Sequence, residues 1–433
     1  MELYSTKHIS PIVSLKEAVL TGLPPDNGLY VPTKIPKLPS TFFDSIEEKD
    51  FREIAFTVGY ELLQHAVDKS ALKAIIDDAF NFDTPVVPLE ENIHVMELFH
   101  GPTLAFKDYG ARFMSRLMKY FLRDTNKEIN ILVATSGDTG GAVGYGFLGV
   151  EGINVTILYP KGKVSEVQEK QLTTIGGNVT TVEVDGNFDD CQHLVKTAFL
   201  DKELNAALNL TSANSINIAR LIPQSFYYYQ AYAKLKESGR PLVVAVPSGN
   251  FGNLCGGLLA QQMGLPIHQF IAATNINDVV PIYLKTGIFQ SKPSVATISN
   301  AMDVGNPSNF PRILAIMGQD EQAVKNKIHG LAFDDDQTKK TMKEVHQRFG
   351  YTMCPHTAVA YLGLKTWLSK NQQPATGVLL STAHPAKFMD VVTPAIGKTV
   401  SLPPALAEAY QKQKVAVPLS NRFDDLKAYL LSK

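Results

Sequence analysis

From about Ile93 onward the chain alternates short, β-branched apolar runs with longer stretches of helical period, and this alternation limits its fold more than any other feature. The runs cover residues 93–98, 129–134, 155–159, 179–184, 242–246, 268–272 and 377–380. Each is too short for a buried helix and mainly apolar, as strands are when helices cover the two sides of a parallel sheet. The class is therefore α/β, and a ligand crevice is expected beyond the carboxyl ends of the strands. Before Ile93 the pattern is different. Ser14 can cap a short helix ending at Gly22, a Pro- and Gly-containing connection follows, and residues 51–80 read as two amphipathic helices with a break near 68–70.

Bulk properties remove several functions. A net charge of −1 without a basic block gives no electrostatic footprint for nucleic acid or a membrane surface. No apolar run approaches the ~18 residues of a spanning helix, and the first residues lack the apolar centre of a signal peptide. Cys191, Cys255 and Cys354 are scattered without a CxxC pair, against a zinc site or a disulfide scaffold. A cytoplasmic protein is expected, with no metal. Length is ample for two or three domains, since 433 residues can bury a large core. Residues 287–311 are poor in periodicity and rich in Ser, Asn and Pro, which predicts a functional loop or an interdomain connection. The acidic run Asp334-Asp-Asp336 is read as a helix cap rather than as metal ligands.

Five stretches can carry chemistry. In His100-Gly-Pro-Thr-Leu-Ala-Phe-Lys-Asp-Tyr-Gly110, Lys107 opens an apolar-periodic helix beside Phe106, where an apolar wall makes an amine nucleophilic and able to hold a carbonyl cofactor as a Schiff base. A solvated lysine is the alternative. Val246-Pro-Ser-Gly-Asn-Phe-Gly-Asn253 follows a strand and opens a helix, so its backbone N–H groups suit a phosphate, although a tight strand-to-helix turn would look the same. It has neither the lysine of a Walker A loop nor dinucleotide spacing. Ala134-Thr-Ser-Gly-Asp-Thr-Gly-Gly141 repeats the architecture with hydroxyls, and Ser136, Thr139 and nearby N–H groups suit a carboxylate. Two such loops imply a phosphorylated cofactor beside an amino-acid substrate. Thr382, at the end of the last predicted strand, is either a turn former or a hydroxyl for a heteroaromatic nitrogen; His384 beside it is read as structural. Amides and hydroxyls ahead of Arg220 can grip a phosphate monoester, or Arg220 can pair with a surface carboxylate.

In this order, these stretches together with Gly28-Leu-Tyr-Val-Pro32 and Asn300-Ala-Met-Asp303 resemble the threonine synthase family, in its longer microbial and fungal branch. The resemblance implies the tryptophan-synthase-β-like fold, fold type II among pyridoxal phosphate enzymes, with two parallel-sheet α/β lobes. It implies a helical N-terminal subdomain at 1–92, a first lobe at 93–235 and a second at 236–433, the chain crossing between them. It implies Lys107 as the pyridoxal 5'-phosphate lysine and catalytic base, Gly249, Asn250, Phe251, Gly252 and Asn253 around the cofactor phosphate, and Thr382 at the pyridine nitrogen. Ser136, Gly137, Asp138 and Thr139 fall to the substrate's carboxylate, and Asn214, Ser215 and Arg220 are assigned to its phosphate. Many relatives of this fold carry Asn where Asp138 stands, so that role is not simply transferable. The implied reaction is O-phospho-L-homoserine plus water to L-threonine plus phosphate, by a monomer or homodimer. A serine or threonine dehydratase, or a non-catalytic cofactor-binding homologue, is the competing expectation.

Overall fold

The computed structural model describes residues 1–125, 127–371 and 373–433. All the predicted strands form, and they divide between two sheets. A five-stranded, wholly parallel sheet runs in the order Val417–Ser420, Val179–Asp185, Ile153–Pro160, Ile129–Ala134, Leu210–Thr211. A six-stranded sheet runs Ile328–Ala332, Ile267–Thr274, Leu242–Pro247, Thr376–Ser381, Ile93–Glu97, Val86–Glu90, parallel except for the last pair. The inner strands Leu242–Pro247 and Thr376–Ser381 are buried at every position, the consequence of helices on both faces.

Sheet membership does not follow the expected stretches 93–235 and 236–433. Ile93–Glu97 pairs with Thr376–Ser381 in the six-stranded sheet, and Val417–Ser420 returns to pair with Val179–Asp185 in the five-stranded one. Parallel neighbours need no sequence proximity, because each is reached by a crossover, so composition along the chain carries no mark of which sheet a strand joins. Nor is the segment before Ile93 only helical. Glu2–Ser5 pairs antiparallel with Val13–Ser14 and Tyr30–Pro32, and Val86–Glu90 forms the edge of the six-stranded sheet.

Local signals act where expected. The Ser14 hydroxyl accepts the Glu17 N–H at 3.2 Å to start helix Leu15–Thr21, which Gly22 ends with a positive φ of 78°. Asp50 and Glu53 form a reciprocal capping box at the start of Phe51–Leu63, and Asp334 with Gln337 does the same for Asp335–Phe349. The acidic run is therefore a cap. The aromatic helix Phe226–Leu235 buries Tyr227, Tyr228 and Tyr229 completely. One apolar cluster extends from Leu3 and the Phe51–Leu63 helix through Tyr109 and Phe226 to Val378, so the N-terminal segment and both sheets share a core. Between Gly287 and helix Phe310–Ile316 the only regular element is the short turn Asn300–Met302, as the weak periodicity predicts.

Candidate active site

Lys107 is the first residue of helix Lys107–Leu122, and the turn before it is folded by its own sequence. Asp108, buried, accepts the Thr103 N–H at 2.9 Å and the Thr103 hydroxyl at 2.7 Å, closing the Gly-Pro-Thr turn. Main-chain bonds then clamp this turn to the end of strand Thr376–Ser381. Phe106 N–H donates to Thr382 O at 2.9 Å and His384 N–H donates to Leu104 O at 3.0 Å. Lys107 and Thr382, remote in sequence, are thus set side by side by backbone alone. The His384 Nδ1 accepts the Ala386 N–H at 3.1 Å and starts the following turn, a structural role.

Strand Leu242–Pro247 leads into the glycine loop. The Asn253 amide donates to Pro247 O at 2.8 Å, and the Tyr228 hydroxyl donates to Asn253 O at 2.7 Å, which pins the first turn of helix Gly252–Gln262. The Asn250 side-chain oxygen accepts the Ser308 hydroxyl at 2.9 Å, tying the loop to the segment after Asn300–Met302. Gly249 has no room for a side chain: a Cβ there would stand 2.8 Å from Ala301 O and 2.9 Å from Met302 Cα. Phe251 adopts a left-handed φ of 62°, the kind of backbone strain that persists where a site is over-determined by its surroundings.

The second loop is organised by Thr135, a residue without an assigned role in the sequence reading. Its Oγ1 accepts the N–H groups of Gly137 and Gly140 at 2.9 and 2.8 Å, and Gly137 takes φ 132°, open to glycine only. Asp138 turns away from any anion. Its Oδ1 lies 2.7 Å from Lys387 Nζ and accepts the Gln168 amide at 2.9 Å.

One cavity collects Lys107, Thr139, Ser215, Arg220, the loop Gly249–Asn253 and Thr382. Ser136, Gly137, Asp138 and Asn214 are not among its lining residues. For Asp138 the reason is the Lys387 pair; for Asn214 it is the amide, which points back to Ala134 O at 3.4 Å. Phe106, Gln224, Ala301, Met302 and His356 also line the cavity. Ala301 and Met302 lie in a block that family resemblance had marked without a role, whereas His356 and Gln224 carry no motif and are brought in by helix packing alone. A larger cavity, lined by Lys16, Leu23 and Asn209 among others, holds none of these groups.

Electrostatics distinguish the cations. Burial pushes the Lys107 amine down to about 8, with Asp138 opposing and Arg220 and Lys387 adding to the fall. Arg220 is 2% exposed and is pushed down to about 10 by burial. Its Nη1 donates to Ala213 O at 2.6 Å, its Nε has no partner, and among the described residues no carboxylate lies within ion-pair distance. The equally buried Arg312 instead donates to Tyr30 O, Ser215 O, Ile216 O and Asn309 Oδ1, a structural role. Asp108 acts on Arg220 from beyond ion-pair distance and partly opposes the effect of burial. His356 is held neutral by burial, pushed down to about 4, and its Nε2 accepts the Ala301 N–H at 3.2 Å.

Residues 2–80 match the threonine synthase N terminus, 79–382 the pyridoxal-phosphate dependent enzyme family and 357–430 the threonine synthase C-terminal region. It is 45% identical to threonine synthase of Haemophilus influenzae, covering 100% of both chains. The chain belongs to the threonine synthase family. The crystal structure of threonine synthase from Escherichia coli superposes with a TM-score of 0.94 at 43% identity, covering 100% of both chains. A pyridoxal-phosphate-bound threonine synthase from Brucella melitensis superposes at 0.92 with 35% identity, covering 99% of this chain and 98% of that one. The fold is fold type II, and like its threonine synthase relatives the chain is a pyridoxal-phosphate dependent lyase. The cavity fits that cofactor: an amine with lowered proton affinity, a glycine loop at a helix start where a Cβ would fill the cradle, and a buried hydroxyl at Thr382.

Proposed function

We propose that this cavity converts O-phospho-L-homoserine and water to L-threonine and phosphate, with Lys107 moving the protons. The observation that carries this reading is one buried amine that shares a cavity with two cationic features, the Gly249–Asn253 helix start and the Arg220 guanidinium, which among the described residues has no carboxylate in direct contact and only the longer-range charge of Asp108 opposing its burial. A cofactor phosphate and a substrate phosphate need two such places. When bound, pyridoxal phosphate supplies an electrophilic carbon for the substrate amine and a conjugated ring that accepts the electrons released at Cα.

The chain's own residues do the rest. The N–H groups of Gly249–Asn253 hold the cofactor phosphate at the positive end of helix Gly252–Gln262. Thr382, a neutral hydroxyl lining the cavity, would be the partner for the pyridine nitrogen, and a neutral partner would favour an unprotonated ring that accepts electrons only moderately. The Asp138 and Thr139 N–H groups at the start of helix Asp138–Phe147, in a loop whose Gly137 and Gly140 N–H groups are taken up by Thr135, would meet the substrate carboxylate, and Thr139 adds its hydroxyl from inside the cavity. Arg220 and Ser215 take the substrate phosphate, which leaves from Cγ before water adds at Cβ. Lys107, its amine lowered to about 8, would take the Cα proton and then a Cβ proton so that phosphate can leave from Cγ, and would return protons to Cγ and, after water has added at Cβ, to Cα. A serine or threonine dehydratase has no substrate phosphate for Arg220 to meet.

The test follows release of inorganic phosphate and formation of threonine from O-phospho-L-homoserine, with serine and threonine as competing substrates. Lys107→Ala abolishes turnover in this reading, and full activity in that variant without added amine would sink it.

A further inference from the structure

The Asp138–Lys387 pair is unlike the other ion pairs of this protein. Side-chain exposure is 5% for Asp138 and 0% for Lys387, whereas at least one partner of every other pair is far more accessible. Asp138 opens helix Asp138–Phe147 after strand Ile129–Ala134 of the five-stranded sheet. Lys387 lies in the turn Pro385–Phe388 after strand Thr376–Ser381 of the six-stranded sheet. The pair therefore crosses from one lobe to the other. Lys387 Nζ also donates to Thr103 O at 2.7 Å, in the turn that presents Lys107, and Ser165 Oγ donates to Lys387 O at 2.9 Å. Gln168, from the helix that Ser165 caps, donates to Asp138.

Stability alone does not account for such a pair. Removing two charges from water costs several kcal/mol per ion in a real protein, and well-packed apolar side chains would hold the same surfaces together as well or better. What matters beside a titratable amine is that the two buried charges cancel, so that neither acts on Lys107 alone. We propose that Lys387 and Asp138 are a positioning pair that joins the lobes and keeps the base of the 136–140 loop electrically neutral beside Lys107, so that the loop accepts an anionic substrate carboxylate.

The charged groups around Lys107 make the consequences definite. Asp138 raises its proton affinity, Lys387 and Arg220 lower it, and His356 is neutral. Asp138 and Lys387 act in opposite directions on the same amine, so deleting one member unmasks the other. Lys387→Met leaves a buried carboxylate facing both the amine and the incoming substrate anion. Asp138→Asn, which keeps an acceptor for Gln168, leaves a cation. Neutralising both restores the balance. The inference rests on the proposed carboxylate role of the 136–140 loop, but its decisive readout needs no turnover.

The experiment uses the full-length chain freed of pyridoxal phosphate, with acetic anhydride as the probe and mass spectrometry of the Lys107 peptide as readout across pH. The midpoint of Lys107 acetylation is expected to rise by about one pH unit or more in Lys387→Met and to fall by a comparable amount in Asp138→Asn, as a nearby charge requires. In the double variant it returns to within roughly half a unit of the parent. In the reloaded enzyme KM for O-phospho-L-homoserine rises about tenfold or more in Lys387→Met and recovers in the double variant. Midpoints that do not move in variants with parental melting temperatures would overturn the proposal, as would a double variant no closer to the parent than Lys387→Met. Should Lys387→Met not fold, Asp138→Asn alone decides by the direction of its shift. Midpoints that move while phosphohomoserine is not a substrate would preserve the charge pair and remove the proposed function.

Discussion

Gly110 offers a sharp test of Arg220, because it lies on the helix face against which the guanidinium packs. A Cβ at Gly110 would stand 2.6 Å from Arg220 Nε and 2.9 Å from Arg220 O. Rotating the side chain cannot relieve the second contact, so Gly110→Ala must move the Ile218–Leu221 turn itself. Crowding of this kind costs about 1–3 kcal/mol, partly offset by the ~1 kcal/mol that alanine adds to a helix interior. The net loss of stability is therefore small, while the effect on the substrate phosphate is not. A charge-assisted hydrogen bond is worth about 1.5–3 kcal/mol, so misplacing Arg220 lowers kcat/KM for O-phospho-L-homoserine roughly 10- to 150-fold. Steady-state phosphate release measures this. Absorbance of the bound cofactor and inhibition by L-threonine, which has no phosphate, serve as controls expected to stay near parental values. If Gly110→Ala kept kcat/KM within about twofold of the parent, Arg220 would not be the substrate phosphate ligand.

Three further outcomes are expected. Gly249→Ala pushes a Cβ against the backbone of Ala301 and Met302 and should weaken pyridoxal phosphate binding about 5- to 150-fold in a spectroscopic titration, whereas Gly252→Ala, meeting the Ser215 Cβ at 3.3 Å, should weaken it less. His356 is held at about 4, below the ordinary histidine value, so the unfolded chain binds its proton first as pH falls; its share of stability is complete above about pH 6.5 and is lost toward pH 4, at ~1.4 kcal/mol per pH unit. His356→Asn, which keeps an acceptor for the Ala301 N–H, should flatten the fall in melting temperature over that interval, and parallel curves would refute the assignment. Asp50→Ala removes the capping box of Phe51–Leu63 at a cost of about 1 kcal/mol, lowering the melting temperature by no more than about 2–4 °C with kcat/KM unchanged.

Much of this protein is legible in its sequence because local physics dominates there. Doubly buried strands read as continuous apolar runs, Ser14, Asp50 and Asp334 cap helices through their own side chains, and a glycine loop between a strand and a helix exposes N–H groups wherever it occurs. The edge strands Leu210–Thr211, only two residues long, and Ile328–Ala332, of mixed exposure, are not legible, since neither has a distinctive period.

By itself, then, the sequence determined the α/β class, a lysine at a helix start, two glycine-containing strand-to-helix turns and, through their order, the family. Only the tertiary structure decided which strands share a sheet, that Asp138 is claimed by Lys387, that Asn214 points back to Ala134, and that His356 and Gln224 reach the cavity. The physical reason is range. Capping, strand burial and loop geometry are settled within a few residues of chain, whereas the proton affinity of Lys107 is set first by burial and then by Asp138, Arg220 and Lys387, which only the tertiary fold brings together.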